Sequence, residues 1–214
     1  NSTPSNLTIL HNFVYFIGKF YDPVLQEYIP KLMSTDGTPE GINEVFEFSS
    51  VDRDEYKIIG TKGNKLIIFR HAPLSYNNSS AINEIWISDG TTEGTMKLTE
   101  YGVPNYLWDF DAWHFLQNDF YFSGYTKEHG IELWRTDGSV NGTLLAKDIG
   151  YGQTKVQKGP IATNGDEVFY MMQRQWYGTV NGVQGNHTER ELWKTDALTI
   201  SSSKVTQWNF PKKT

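Results

Sequence analysis

With 214 residues the chain is long enough to bury a core without metal or disulfide support, and its lack of cysteine excludes disulfides, thiol catalysis and cysteine-held zinc. The net charge of −6 comes from interspersed acids and bases, with no basic stripe to attract nucleic acid or an anionic membrane. No apolar run approaches the roughly 18 residues a membrane span requires. The composition is 14% aromatic with 19 Gly against 8 Pro, which favours pleated, half-buried strands joined by many short turns.

In chain order, the first strands are expected at 7–11, 13–19, 31–35 and 43–48, each rich in β-branched and aromatic residues and bounded by turn chemistry. Two patterns from this stretch then recur. The first is NFVYF at 12–16, followed by NKLII at 64–68, NDFYF at 118–122 and DEVFY at 166–170. The second is KLMSTDGT at 31–38, followed by EIWISDGT at 84–91, ELWRTDGS at 132–139 and ELWKTDAL at 191–198. Along the strand before the Asp, Glu132, Trp134 and Thr136 share one face and Leu133 and Arg135 the other. Asp-Gly then makes a turn, because Asp bonds nearby backbone and Gly accepts a positive φ. No segment shows a sustained helical period.

Two anchors recurring four times in the same order, at intervals of roughly fifty residues, define a repeat of four-stranded units. The expected copies are 1–48, 49–101, 102–149 and 150–210 of a single domain. One such sheet cannot bury both faces alone, so neighbours must pack on it. Radial packing also limits exposed sheet edges. The sequence therefore predicts an all-β fold, a four-bladed β-propeller of four-stranded antiparallel blades. A linear β-solenoid is the alternative, although its repeats are generally shorter.

The pattern resembles the ELWxxDGT-repeat family, whose units run roughly P-x-N-L-T, G-x-L-Y-F, E-L-W-x-x-D-G-T-x-x-G-T and V-K-D-I. Pro4-Ser5-Asn6-Leu7-Thr8 is similar to its opening; Glu132 through Thr143 and Ala146-Lys147-Asp148-Ile149 are similar to its close. The likeness runs from about residue 3 to about 208. It implies a propeller in an exported or surface protein, often bacterial, with no shared catalytic residues. Departures lie in the outer copies: Lys31, Met33 and Ile42 replace Glu, Trp and Thr, Ala197 replaces Gly, and the Gly-Thr step is lost at 201–203. Atypical outer copies are expected to be caps, a closure seam or an interface between two chains.

In a four-stranded meander the 1–2 and 3–4 turns share one end and the 2–3 and 4–1 connections the other. The length variation falls in the second set: 20–29, 72–82, 125–130 and 173–188 for the 2–3 connections, with 49–55, 101–109 and 150–158 among the others. Loops on a rigid scaffold are where binding usually resides. Trp and Tyr lead at binding hot spots, so the candidate contacts are Tyr76, Trp108, Tyr125, His129, Trp176 and Tyr177. Trp86, Trp134 and Trp193 belong to the repeat and are expected to pack between blades.

Asp109 and Asp111 share a strand face, and Asp52, Asp54 and Glu55 form a second acidic cluster. Such carboxylates can serve glycoside hydrolysis or hold Ca²⁺, but their usual fate is solvation or turn capping. The five histidines lack metal-ligand spacing, and no nucleophile elbow or phosphate loop is present. No catalytic residue, metal or cofactor is expected, with Ca²⁺ or a small apolar ligand as alternatives. N-x-[ST] occurs at Asn1, Asn6, Asn77, Asn78, Asn141 and Asn186, against about two or three by chance. That excess points to a glycosylated eukaryotic protein, whereas the missing cysteines point to bacterial export. A chain opening on Asn1 is expected to be processed or excised.

The expectation is a non-enzymatic, secreted binding or assembly module for a protein or glycan partner, self-association included, without nucleic-acid or membrane partners. The alternatives are a carrier of a small apolar ligand in an aromatic pocket and a hydrolase using Asp109 and Asp111.

Overall fold

The structure, a computed structural model, describes residues 5–49, 55–72, 82–99, 113–117, 119–126, 129–148 and 161–209. Among them there is no helix, and sixteen strands form four antiparallel sheets of four, each a meander in sequence order. The first sheet holds β1 (Ser5–Leu10), β2 (Phe13–Asp22), β3 (Glu27–Thr35) and β4 (Asn43–Glu47). The second holds β5 (Glu55–Lys62), β6 (Lys65–Ala72), β7 (Ile82–Ser88) and β8 (Met96–Lys97). The third holds β9 (Trp113–Leu116), β10 (Asp119–Thr126), β11 (Gly130–Thr136) and β12 (Leu144–Lys147). The fourth holds β13 (Ile161–Thr163), β14 (Glu167–Val180), β15 (Val183–Asp196) and β16 (Ser202–Asn209). Two compact units result, Asn1–Gly102 with Gly138–Val140, and Val103–Asp137 with Asn141–Thr214.

The first unit is built on alternation. Tyr15 and Ile17 of β2 turn the same way, as do Leu66 and Ile68 of β6, and all four are buried in one cluster with Leu10, Leu32, Val45 and Ile58. Phe48 stacks on Tyr56 with ring centroids 4.0 Å apart, and Trp86 lies edge-on to Phe48 at 5.5 Å. Trp86 of the second sheet also meets Phe46 of the first at 6.0 Å, so this repeat tryptophan does pack between sheets. The second unit repeats the scheme: Leu116, Tyr121, Leu133 and Ala146 pack with Ile161, Val168, Tyr170 and Met172, and Trp193 covers them.

The repeated residues have local duties. Thr38 donates its N–H and Oγ1–H to Asp36 Oδ1 at 2.9 and 2.7 Å, and its Oγ1 accepts from Gly41 N–H at 3.0 Å. Asp89, Thr91 and Gly94 make the same three bonds. The second glycine is required because a Cβ on Gly41, Gly94 or Gly142 would lie 1.8, 2.0 or 2.0 Å from Oδ1 of Asp36, Asp89 or Asp137. Hydroxyl pairs tie the third strand to the turn's end: Ser88 to Thr95 at 2.7 Å, Thr136 to Thr143 at 2.8 Å and Thr195 to Ser202 at 2.7 Å. In the last copy, Asp196 instead binds Thr199, one position later than in the others, and Ile200 takes the positive φ of 56°.

The Glu-x-Trp pair is equally specific. Trp86 Nε1–H donates to Glu84 Oε2 at 2.9 Å while Lys97 reaches Oε1 at 3.2 Å. Trp193, Glu191 and Lys204 reproduce this at 2.8 and 3.2 Å. Glu84 and Glu191 are buried, and a buried charge needs such partners. In the first sheet the polarity is exchanged, for Lys31 stands at the glutamate position and pairs with Glu44 at 2.8 Å and Glu47 at 2.7 Å. The departure of the first copy is thus satisfied inside its own sheet.

Candidate functional site at the hairpin ends

The described residues of the 1–2 turns take tight-turn conformations. His11 and Asn12 carry φ of 49° and 66°, Gly63 carries 54° and Gln117 carries 50°. Asn164 Oδ1 accepts from the N–H groups of Asp166 and Glu167 at 3.1 and 2.9 Å. In the third sheet His129, at the 2–3 turn, lies 2.8 Å through Nδ1 from Asp148 Oδ2, just past β12. A contact between those two segments places the 2–3 connection and the end of the fourth strand together, as the meander requires. It also gives His129 a partner within its own sheet.

Two of the expected 2–3 loops are strands. Residues 173–188 belong to β14 and β15, whose ladder runs without a break to Val180 opposite Val183. The turn is Asn181-Gly182, with φ of 51° and 79°, the left-handed pair that suits a two-residue hairpin. Sequence reasoning missed this dipeptide, although it was legible as a hairpin signal. Likewise, β2 and β3 stay paired to Asp22 opposite Glu27, so most of 20–29 is ladder.

The β2–β3 end is built by Asp22, whose Oδ1 accepts from Val24 N–H at 2.7 Å and Leu25 N–H at 3.0 Å. That turn, closed by Gln26 at φ 57°, drives two aliphatic side chains into solvent: Val24 is 87% and Leu25 58% exposed. Below them Tyr21 and Tyr28 face each other across the ladder, 55% and 52% exposed, with ring centroids 5.4 Å apart. Sequence reasoning placed none of these four among its contact candidates. The β14–β15 end exposes Tyr177, Val180 and Val183.

Of the predicted contacts, Tyr125 lies in β10 opposite Ile131, and Trp176 in β14 opposite His187. Tyr177 stands opposite Asn186. Tyr76, Trp108, Asp109, Asp111, Asp52 and Asp54 lie outside the described residues, as do the sequons at Asn1, Asn77 and Asn78. Asn6, Asn141 and Asn186 are exposed. The Asn141 sequon has a structural origin, since its Thr143 is one member of the repeated hydroxyl pair. Among the described residues no group of three His, Cys, Asp or Glu side chains is placed to hold a metal ion.

These sheets define an all-β protein built from four four-stranded antiparallel sheets. Neither a family model nor a curated protein matches the chain. Among solved structures it is similar to a mannose phosphorylase from Leishmania mexicana, at 11% identity and a TM-score of 0.37, over 94% of this chain and 67% of that one. It is also similar to the β-propeller domain of the Trilobed protease from Pyrococcus furiosus, at 10% identity and a TM-score of 0.49, over 99% of this chain and 64% of that one. A third similarity is to prolyl oligopeptidase B from Galerina marginata, at 11% identity and a TM-score of 0.39, over 91% of this chain and 33% of that one.

Proposed function

We propose that the chain is a four-bladed β-propeller, related to the ELWxxDGT-repeat proteins, that works as an exported, non-catalytic binding module for a protein or glycan. Glu-x-Trp, Asp-Gly and the hydroxyl pairs, each present in three of the four copies, support the propeller, as does the face-to-face burial of sheets within each unit. The sequon excess supports export.

The observation that carries the binding role is the apolar end of the β2–β3 hairpin, where Tyr21, Val24, Leu25 and Tyr28 project together from a turn fixed by Asp22. Exposed aromatic and aliphatic side chains on a rigid ladder lose little conformational freedom on binding, which suits them to be contact anchors. Tyr125 and Trp176, on the corresponding hairpins of other sheets, extend the proposed contacts there. A non-catalytic role agrees with how the described acids are used: Asp36, Asp89 and Asp196 cap their own turns, and Glu84 and Glu191 hold indoles and lysines.

The test is to immobilise the full chain and a Tyr21→Ala/Tyr28→Ala variant, then challenge both with a glycan array and an extracellular protein extract. The proposal expects a ligand retained by the parent and lost by the variant at unchanged thermal midpoint. Equal retention by both proteins would remove the hairpin end from the function, and substrate turnover by the parent would overturn the non-catalytic reading.

A further inference from the structure

We infer that Asn186 is an N-glycosylation site whose first sugar packs on the ring of Tyr177. This goes beyond the proposed partner binding, because the carbohydrate here is the protein's own.

The sequon is Asn186-His187-Thr188, on the returning strand of the β14–β15 hairpin. Asn186 is exposed, and the ladder sets it directly opposite Tyr177, which is 68% exposed. Directly opposed residues have Cβ atoms about 4.5–5.5 Å apart on one face of the sheet, a separation that lets a sugar on the amide lie across the phenol ring. The alternation of the strands also puts Thr188, whose hydroxyl completes the sequon, on that face. His187 points to the other face, and its Nε2–H donates to the Gly178 carbonyl at 2.8 Å, pinning the ribbon beside the site.

Tyr177 lies in a two-stranded ribbon, and residues 179–184 around its turn are exposed, with Val180 and Val183 among them. Two-stranded ribbons are marginal in water on their own. A ring covered by a sugar is what such a ribbon lacks. The three described sequons differ in this respect. Asn6 falls in the register shift between the Ser5 and Thr8 pairs and has no cross-strand partner, and Asn141 lies in the Asp-Gly turn.

In the transfer, Asn186 Nδ2 attacks the anomeric carbon of a polyprenyl-diphosphate-linked oligosaccharide that begins with N-acetylglucosamine. The C1–O bond to the diphosphate breaks, a C1–N bond forms, the lipid diphosphate leaves, and the amide nitrogen gives up one proton. No oxidant or reductant is involved.

The experiment secretes the full chain from a eukaryotic host and maps the modified asparagines by peptide mass spectrometry. Thermal midpoints are then compared after trimming to a single N-acetylglucosamine and after complete removal by an amidase. Asn186 is expected to be occupied. Complete removal is expected to lower the midpoint by roughly 2–4 °C, while trimming to one sugar leaves it in place. In Tyr177→Ala that sugar-dependent difference should vanish; Tyr177→Phe should keep it. An unmodified Asn186 in a preparation where Asn6 is glycosylated would overturn the site. A sugar-dependent shift that survives Tyr177→Ala would overturn the packing.

Discussion

Tyr15 of the first sheet occupies the space that a side chain on Gly90 of the second would need: a Cβ built on Gly90 lies 2.2 Å from the tyrosine oxygen and 2.9 Å from Cζ. Gly90 also sits at φ 92°, where an L side chain is strained. The second unit pairs the matching residues, with Ala197 packed against the cluster that contains Tyr121. There the positive φ has moved from the Gly position to Ile200, so an alanine is tolerated.

Gly90→Ala should therefore destabilise the chain by about 1–3 kcal/mol, the range for overpacking a close contact. Adding Tyr15→Phe should recover part of that loss by removing the nearest atom. Urea denaturation of both variants measures it, and a neutral Gly90→Ala would contradict the contact.

The Asp turns give an acid dependence. Hydrogen bonds from Thr38, Thr91 and Thr199 hold the carboxyls of Asp36, Asp89 and Asp196 below the usual carboxylate range. A carboxyl with a lowered folded-state pKa contributes stability above its unfolded value, about 3.9. That contribution fades as the pH falls below it and through the lower folded value. Thermal midpoints should be level from neutral pH to about 5 and drop below 4. In Asp89→Asn, which keeps an acceptor but cannot titrate, the drop should be shallower.

Lys31 and Glu44 in the first sheet exchange the charges of Glu84 and Lys97 in the second. Lys31→Glu would set three acids together and should destabilise; Lys31→Glu with Glu44→Lys should regain most of the loss. Glu44 and Glu47 are about half exposed, so the coupling should be about 0.5–1 kcal/mol. A double-mutant cycle reads it, and strict additivity would mean the pair contributes nothing.

Burial raises the phenols of Tyr15, Tyr121 and Tyr170, the last to about 12. Nearby Asp89 adds to the effect at Tyr15, and Asp119 at Tyr121. A raised folded-state pKa gives stability that is complete below the unfolded value near 10 and lost as the pH climbs towards the folded one. Tyrosinate absorbance should show these three of the 12 tyrosines ionising late, together with alkaline unfolding. Tyr170→Phe should lose the latest step.

The repeated parts of the fold were legible because several copies reuse the same side chains for the same bonds: Asp to Thr in the turns of the first, second and fourth copies, and Glu to Trp along the strand in the second and fourth. What escaped had no such repetition. The β14–β15 ribbon is exposed on its outer part, so it lacks the apolar alternation that marks a half-buried strand, and only Asn181-Gly182 announced it. The β2–β3 end falls within 20–29, expected to be a connection, whereas β2 and β3 stay paired through it as far as Asp22 opposite Glu27. Lys31 looked like a defect when compared with Glu84 and Glu191 alone. Its meaning needed the partner strand, where Glu44 had changed as well. Tyr21 and Tyr28 fall within 20–29, expected to be a connection, and their pairing depends on register, which residue types do not specify.

Small-angle scattering from the full chain in solution is the most direct test of the proposed four-bladed ring. One compact particle of this length should give a radius of gyration of about 17 Å and a single-peaked distance distribution. A clearly larger radius with two separated maxima would mean two independent pairs of sheets, and the propeller would have to be abandoned.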